Sequence, residues 1–185
     1  MNKSLNILIV EDSPDDAALI IDELKQAGFD PAWKRVDTEA EFLAELKKTP
    51  DIILSDYNLP RFSGLKAATL LQESSLNIPF ILISGTVGED IAVNAMKHGA
   101  TDYLLKDRIA RLGTAVERAL EQKRLQEEHK IADAEIRHQL RELQRWHNAT
   151  VGREDRILEL KTEVNELLAR LNLPPRYTET SKETP

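Results

Sequence analysis

Ile52-Ile53-Leu54-Ser55-Asp56 decides how the rest of the chain reads: three apolar residues, a small hydroxyl and a carboxylate, with Pro50 before them and Asn58 and Pro60 after. A run this short and without polar alternation is a strand buried on both faces, as in the middle of a parallel sheet. Working outward, comparable runs stand at Leu5 to Val10 and Phe80 to Ile83, with shorter ones at Ala32 to Val36 and Asp102 to Leu105. Between them lie stretches of helical period: Asp15 to Ala27, Thr38 to Lys48, Gly64 to Glu73 and Glu89 to His98, with another starting after Lys106. Strand and helix alternate five times, which predicts an α/β fold with a five-stranded parallel, doubly wound sheet. Gly28, Pro50, Pro60, Pro79 and Gly99 fall between these elements, where chain breakers belong.

In an open parallel sheet, ligands collect beyond the carboxyl ends of the strands. Here the first strand runs into Glu11-Asp12, the third ends at Asp56, the fourth runs into Ser84-Gly85-Thr86, and Lys106 follows the fifth. Three carboxylates, a hydroxyl and an ammonium therefore converge on one edge. Clustered carboxylate oxygens suit Mg²⁺, a small hard cation that commonly bridges to phosphate. A carboxylate attacking a phosphoryl donor in line would form an acyl phosphate, with lysine and metal holding the phosphoryl oxygens. Each residue also has a plainer reading. Asp12-Ser13-Pro14-Asp15 makes a good helix start, Asp56 a turn residue, Ser84 a cap and Lys106 a solvated surface charge. Chemistry is favoured because complementary groups occupy four separate strand ends.

These residues resemble the receiver domain of two-component response regulators across roughly residues 5 to 122. The resemblance is carried by Ile-Leu-Ile-Val-Glu11-Asp12-Ser-Pro, by Ile-Ile-Leu-Ser-Asp56-Tyr-Asn58-Leu-Pro60-Arg-Phe-Ser-Gly64-Leu, by Ile-Pro79-Phe-Ile-Leu-Ile-Ser84-Gly85 and by Gly99-Ala-Thr-Asp-Tyr103-Leu-Leu-Lys106. It implies a flavodoxin-like receiver whose phosphoacceptor is Asp56, phosphorylated by a sensor histidine kinase with Mg²⁺ as cofactor. Asp12, Asp56 and the Asn58 backbone carbonyl become the metal ligands, and Glu11 reaches the metal through water. Ser84 and Lys106 become the groups that bind phosphoryl oxygens, and Tyr103 the aromatic switch that follows Ser84. Two positions depart from the usual pattern: Asp107 follows Lys106 where many receivers have proline, and Gly85 replaces the commoner alanine.

After Lys106 the composition turns long, charged and helix-favouring, and Gly113 and Gly152 are the only glycines from Arg108 to Leu171, with no proline. Taking Ile136 as position a of a seven-residue repeat puts Leu143, Thr150, Ile157, Val164 and Leu171 at a. Positions d are then Leu125, Ala132, Gln139, Trp146, Arg153, Leu160 and Leu167. A mostly apolar a/d stripe flanked by charge predicts a C-terminal α-helical coiled coil, read as a parallel homodimer through residues 125–171. An amphipathic helix folded back on the first domain is the other reading. The repeat weakens at Thr150 to Arg153, where Gly152 admits a kink or a hairpin. His147 could be read as a phosphotransfer histidine, but the acid and proline that usually accompany one are missing. Pro174-Pro175 stops the helix ahead of a polar tail. The expected organisation is a receiver over 1–122, a helical extension over 123–172 and a flexible tail over 173–185.

The balance of composition narrows the function. Net charge is −7, which disfavours nonspecific nucleic-acid binding. Cysteine is absent, which suits a reducing compartment, and no apolar run approaches the roughly 20 residues of a membrane span. The expectation is a cytoplasmic signalling protein with no nucleic-acid or membrane partner, a phosphoacceptor and not an enzyme. A structural adaptor with a receiver-like docking domain is the alternative. A hydrolase of another α/β family would want a second acid two residues after Asp56, where Asn58 stands.

Overall fold

A computed structural model describes residues 3–85 and 89–177. Residues 1–2, 86–88, which include Thr86 and Gly88, and 178–185 lie outside the described residues. The element order is β1 (Lys3–Val10), α1 (Pro14–Gln26), β2 (Phe29–Val36), α2 (Glu39–Leu46), β3 (Ile52–Asp56), α3 (Gly64–Glu73), β4 (Phe80–Ser84), α4 (Glu89–Lys97), β5 (Asp102–Leu105), a 3-10 segment (Lys106–Arg111) and α5 (Leu112–Arg170). The strands form one parallel sheet in the order β2-β1-β3-β4-β5, the five-stranded doubly wound arrangement expected.

Successive side chains on a strand point to opposite faces, and the central strands are apolar at both parities. Ile7, Ile9, Ile52, Leu54, Ile81 and Ile83 enter one core with Ile20, Ile21 and Leu24 of α1 and Leu112, Val116 and Ala119 of α5. Leu8, Val10, Ile53, Phe80 and Leu82 enter the other with Phe42 of α2, Ala67 and Leu71 of α3 and Ala95 of α4. Two cores sandwiching one sheet explain why these strands show no polar alternation. Helix starts agree with their sequence: the side chains of Ser13, Thr38 and Ser63 accept N–H bonds from Asp16, Glu41 and Lys66, and Pro14 occupies the first turn of α1.

β2 begins three residues before its expected start at Ala32, so Pro31 lies inside a strand, paired in register with Leu5. β2 is an edge strand, and an edge tolerates proline because the missing N–H can face away from the ladder. Gly113 allows α5 to approach the end of α1, since a Cβ there would lie 2.3 Å from the Ala27 Cβ.

The chain divides into two units, 1–128 and 129–185. In the second, α5 continues through Gly152 to Arg170. Leu143 is 66% exposed and Leu171 69%, and Ile136, Ile157, Leu160 and Leu167 are exposed as well. The helix stops with Asn172 in the left-handed region at φ 58°, while the Leu173 N–H donates to the Leu168 carbonyl at 2.9 Å. The chain then returns along its own helix. The Asn165 carboxamide accepts from the N–H groups of Arg176 and Tyr177 at 2.9 and 3.1 Å and donates to the Tyr177 carbonyl, and the Lys161 ammonium sits 5.8 Å from the Tyr177 ring centre. The tail expected to be flexible from residue 173 is thus held as far as Tyr177.

Candidate functional site

The carboxyl ends of β1 and β3 place Glu11, Asp12 and Asp56 together, with one oxygen from each within 4.8 Å of the others. Asp56 is paired in register with Ile83 on β4, and the Tyr57 N–H continues the ladder to the Ile83 carbonyl, which fixes the backbone on both sides of the carboxylate. Gly64, the first residue of α3, is needed beside it: a Cβ there would lie 2.3 Å from the Asp56 carbonyl oxygen and 2.6 Å from Leu82 Cδ1. Only glycine lets α3 come this close to the end of β3.

Burial separates the three acids. Glu11 is 1% exposed and Asp56 7%, whereas Asp12 is exposed. Burial pushes the Glu11 carboxyl above the usual carboxylate range; the Ser13 N–H, which donates to it at 3.1 Å, and Lys106 oppose that shift, while the Asp56 charge adds to it. The Lys106 Nζ donates to Asp56 at 3.0 Å, to Glu11 at 3.3 Å and to Asp16 at 2.5 Å. Burial pulls this ammonium's pKa down, but hydrogen bonds to Asp16 and Asp56 and the charges of Asp56 and Glu11 more than reverse that, so it lies above the ordinary lysine range. The site therefore holds a permanent cation against buried acids, an arrangement that suits a further anion only once some of that negative charge is neutralised. Three oxygen donors of this kind match a hard divalent cation, and Mg²⁺ fits the donor set.

Of the other residues singled out from sequence, Ser84 is fully buried at the end of β4, next to β3 in the sheet. The Asn58 N–H lies 3.5 Å from Asp56 Oδ1. Tyr103 is half-buried on β5, packed against the α2–α4 core. Asp107 is the second residue of the 3-10 segment that starts at Lys106, and the described residues contain no cis peptide bond. Two residues escaped the sequence reading. Asp16 looks like an ordinary acid in the first turn of a helix yet bonds to Lys106. Arg35 sits near the end of the edge strand and its guanidinium donates to the carbonyls of Glu11 and Asp12, at 2.9 and 3.2 Å. The signal for Asp16 is its spacing of four from Asp12; for Arg35, which lies 23 residues from Asp12, the sequence holds none.

Comparison with known proteins agrees with this geometry. The family model of the response regulator receiver domain matches residues 7–117, more than half of the chain. The C4-dicarboxylate transport transcriptional regulatory protein DctD of Pseudomonas aeruginosa is 31% identical over 168 residues, covering 88% of this chain and 34% of that protein. The cell cycle transcriptional regulator CtrA of Caulobacter vibrioides is 31% identical over 120 residues, 62% of this chain and 52% of its own length. The chain thus spans between a third and about half of these relatives. Among solved structures, the signal receiver domain of a Luxo repressor protein from Vibrio parahaemolyticus is 27% identical with a TM-score of 0.59, covering 67% of this chain and 95% of that one. A response regulator receiver domain from Clostridium thermocellum, at 24% identity and a TM-score of 0.58 over 65% of this chain and 98% of its own, shares the fold.

Proposed function

The chain belongs to the response regulator receiver domain family, and from that premise we propose that Asp56 accepts a phosphoryl group from a sensor histidine kinase and that the C-terminal helix passes the signal on. The single observation that supports it is the Lys106 ammonium 3.0 Å from a buried Asp56 whose carboxylate lies in one cluster with Glu11 and Asp12. An Asp56 oxygen attacks phosphorus in line, the new O–P bond forms as the donor's bond breaks, and the donor leaves with its bonding pair. Lys106 and the Ser84 hydroxyl take the phosphoryl oxygens, and Tyr103 follows Ser84 inward. Asp12, Asp56 and the Asn58 carbonyl would hold Mg²⁺, and Glu11 would reach it through water. A bound Mg²⁺ supplies positive charge that offsets the acids and the incoming phosphoryl oxygens.

Output runs through a homodimer joined by residues 125–171. Its support is the exposed a/d stripe of α5, which needs a partner helix to bury it. No described helix is long and apolar enough to cross a membrane, and a cytoplasmic location with no nucleic-acid contact made by this chain completes the reading. Intact-mass measurement after treatment with acetyl phosphate and Mg²⁺ tests the chemistry: one added phosphoryl group is expected, absent in Asp56→Asn and in Asp12→Ala. Labelling that survives Asp56→Asn would place the nucleophile elsewhere, and a wild-type chain that never labels would leave the adaptor reading in its place.

A further inference from the structure

Lys106 has three hydrogens to donate and three carboxylates to receive them, and the three are not equivalent. Glu11 and Asp56 belong to the cluster that suits a cation, together with Asp12. Asp16 stands outside that cluster, on the first turn of α1, with 42% of its side chain exposed, yet it makes the shortest contact to the ammonium. Its backbone is pinned: the Asp16 N–H donates to the Ser13 side chain, Pro14 precedes it at the helix start, and its neighbour Ala17 is fully buried. Arg35 ties down the two residues ahead of that turn through the Glu11 and Asp12 carbonyls. The carboxylate is therefore presented to Lys106 from a fixed piece of backbone.

We propose that Asp16 is a positioning residue that holds the Lys106 ammonium at the edge of the acidic cluster and competes with a phosphoryl group for it. This rests on the phosphoacceptor reading above and adds a residue which that reading does not use. Were Mg²⁺ held by Asp12, Asp56 and the Asn58 carbonyl, with Glu11 reaching it through water, the metal would offset the charge of those acids and Asp16 would be left as the counter-charge of Lys106. Two equilibria then feel Asp16 with opposite sign. Drawing Lys106 aside leaves Glu11 and Asp56 to the cation, so Asp16 favours Mg²⁺. A phosphoryl group, in contrast, must take Lys106 from Asp16 and meets the negative charge of Asp16 as it does so. Asp16 thus weakens retention of the phosphoryl group while strengthening retention of the metal.

The opposite signs make the inference testable on the full chain. Calorimetry gives the affinity for Mg²⁺ alone and then, at saturating Mg²⁺, for beryllofluoride, the phosphoryl stand-in. For a partly exposed ion pair, Asp16→Asn is expected to weaken Mg²⁺ binding about threefold and to tighten beryllofluoride binding about threefold, with Asp16→Glu returning both close to wild type. A variant that is merely loosened would weaken both constants, and that result overturns the proposal, as do unchanged constants or an Asp16→Glu chain that behaves like Asp16→Asn. Acetyl phosphate labelling of the wild type separates the two levels: a wild type that does not label sinks the phosphoacceptor reading and this inference with it. A wild type that labels while Asp16→Asn binds like its parent sinks this inference alone.

Discussion

The sheet and the later part of α5 use the same apolar residue types to opposite ends. Ile52, Ile53 and Leu54 have no accessible surface, whereas Leu143, Leu167 and Leu171 are at least half exposed. The first unit closes its two cores with its own helices, so its stability and its site are properties of one chain. The second unit displays a stripe that a single helix cannot bury, and an isolated helix draws little stability from propensity alone. A substitution should therefore act inside one copy in the first unit and between copies in the second. The largest expected effect breaks this contrast if it fails: Leu54→Ala should cost about 2–5 kcal/mol in denaturant unfolding, through lost burial and the cavity left behind. Leu143→Ala should leave that transition in place and instead raise the concentration at which light scattering first reports a dimer. If Leu143→Ala destabilises the monomer as much as Leu54→Ala, the stripe is covered within one chain and the homodimer reading falls.

What could be read from sequence follows the same division. β3 and β4 were legible nearly to the residue because short apolar runs buried on both faces suit the middle of a parallel sheet, β5 because Asp102 to Leu105 completes the strand–helix alternation, and the cluster of Glu11, Asp12, Asp56 and Lys106 followed because strand ends in such a sheet converge. The start of β2 was not, since Pro31 reads as a breaker until the strand is known to be at an edge. Arg35 was not, since its partners depend on how β2 sits against β1, which no periodicity encodes, and for Asp16 nothing beyond its spacing from Asp12 marks a bond to Lys106, 90 residues away. The return of the chain onto Asn165 was hidden for a similar reason: a carboxamide at a solvent-facing helical position gives no sign that it will bind backbone 11 and 12 residues later.

A smaller effect sharpens the contrast at a glycine of the first unit. Gly64→Ala puts a methyl group 2.3 Å from the Asp56 carbonyl oxygen, a backbone atom that cannot swing away. The clash should cost about 1–3 kcal/mol by displacing α3 from the end of β3. Because the clash falls on the backbone of Asp56 itself, labelling by acetyl phosphate should slow together with the loss of stability. Chemical denaturation and intact-mass time courses on the same preparation check both. Full labelling speed in a destabilised Gly64→Ala chain would mean that the close approach of α3 serves the fold and not the site.

The smallest expected effect has the opposite sign and comes from the same residue type in the second unit. Gly152 lies within α5, its φ is not positive, and a Cβ built there meets nothing within 4 Å. Glycine inside an exposed helix costs roughly 1 kcal/mol relative to alanine, because it gives up more backbone freedom on ordering. Gly152→Ala should therefore stabilise the helix by about 0.5–1 kcal/mol, seen as a rise in the helical circular dichroism signal and in the midpoint at which it melts. The position is also two residues after Thr150 at a in the seven-residue repeat, which puts it at c, on the outer side of a paired coil, so the added methyl group does not obstruct pairing. A hairpin at Gly152 makes the contrary prediction. A turn there would draw on glycine's freedom, and alanine would lower the melting midpoint and disturb the assembly. The sign of one methyl group thus decides whether the second unit pairs as a continuous helix or turns back on itself.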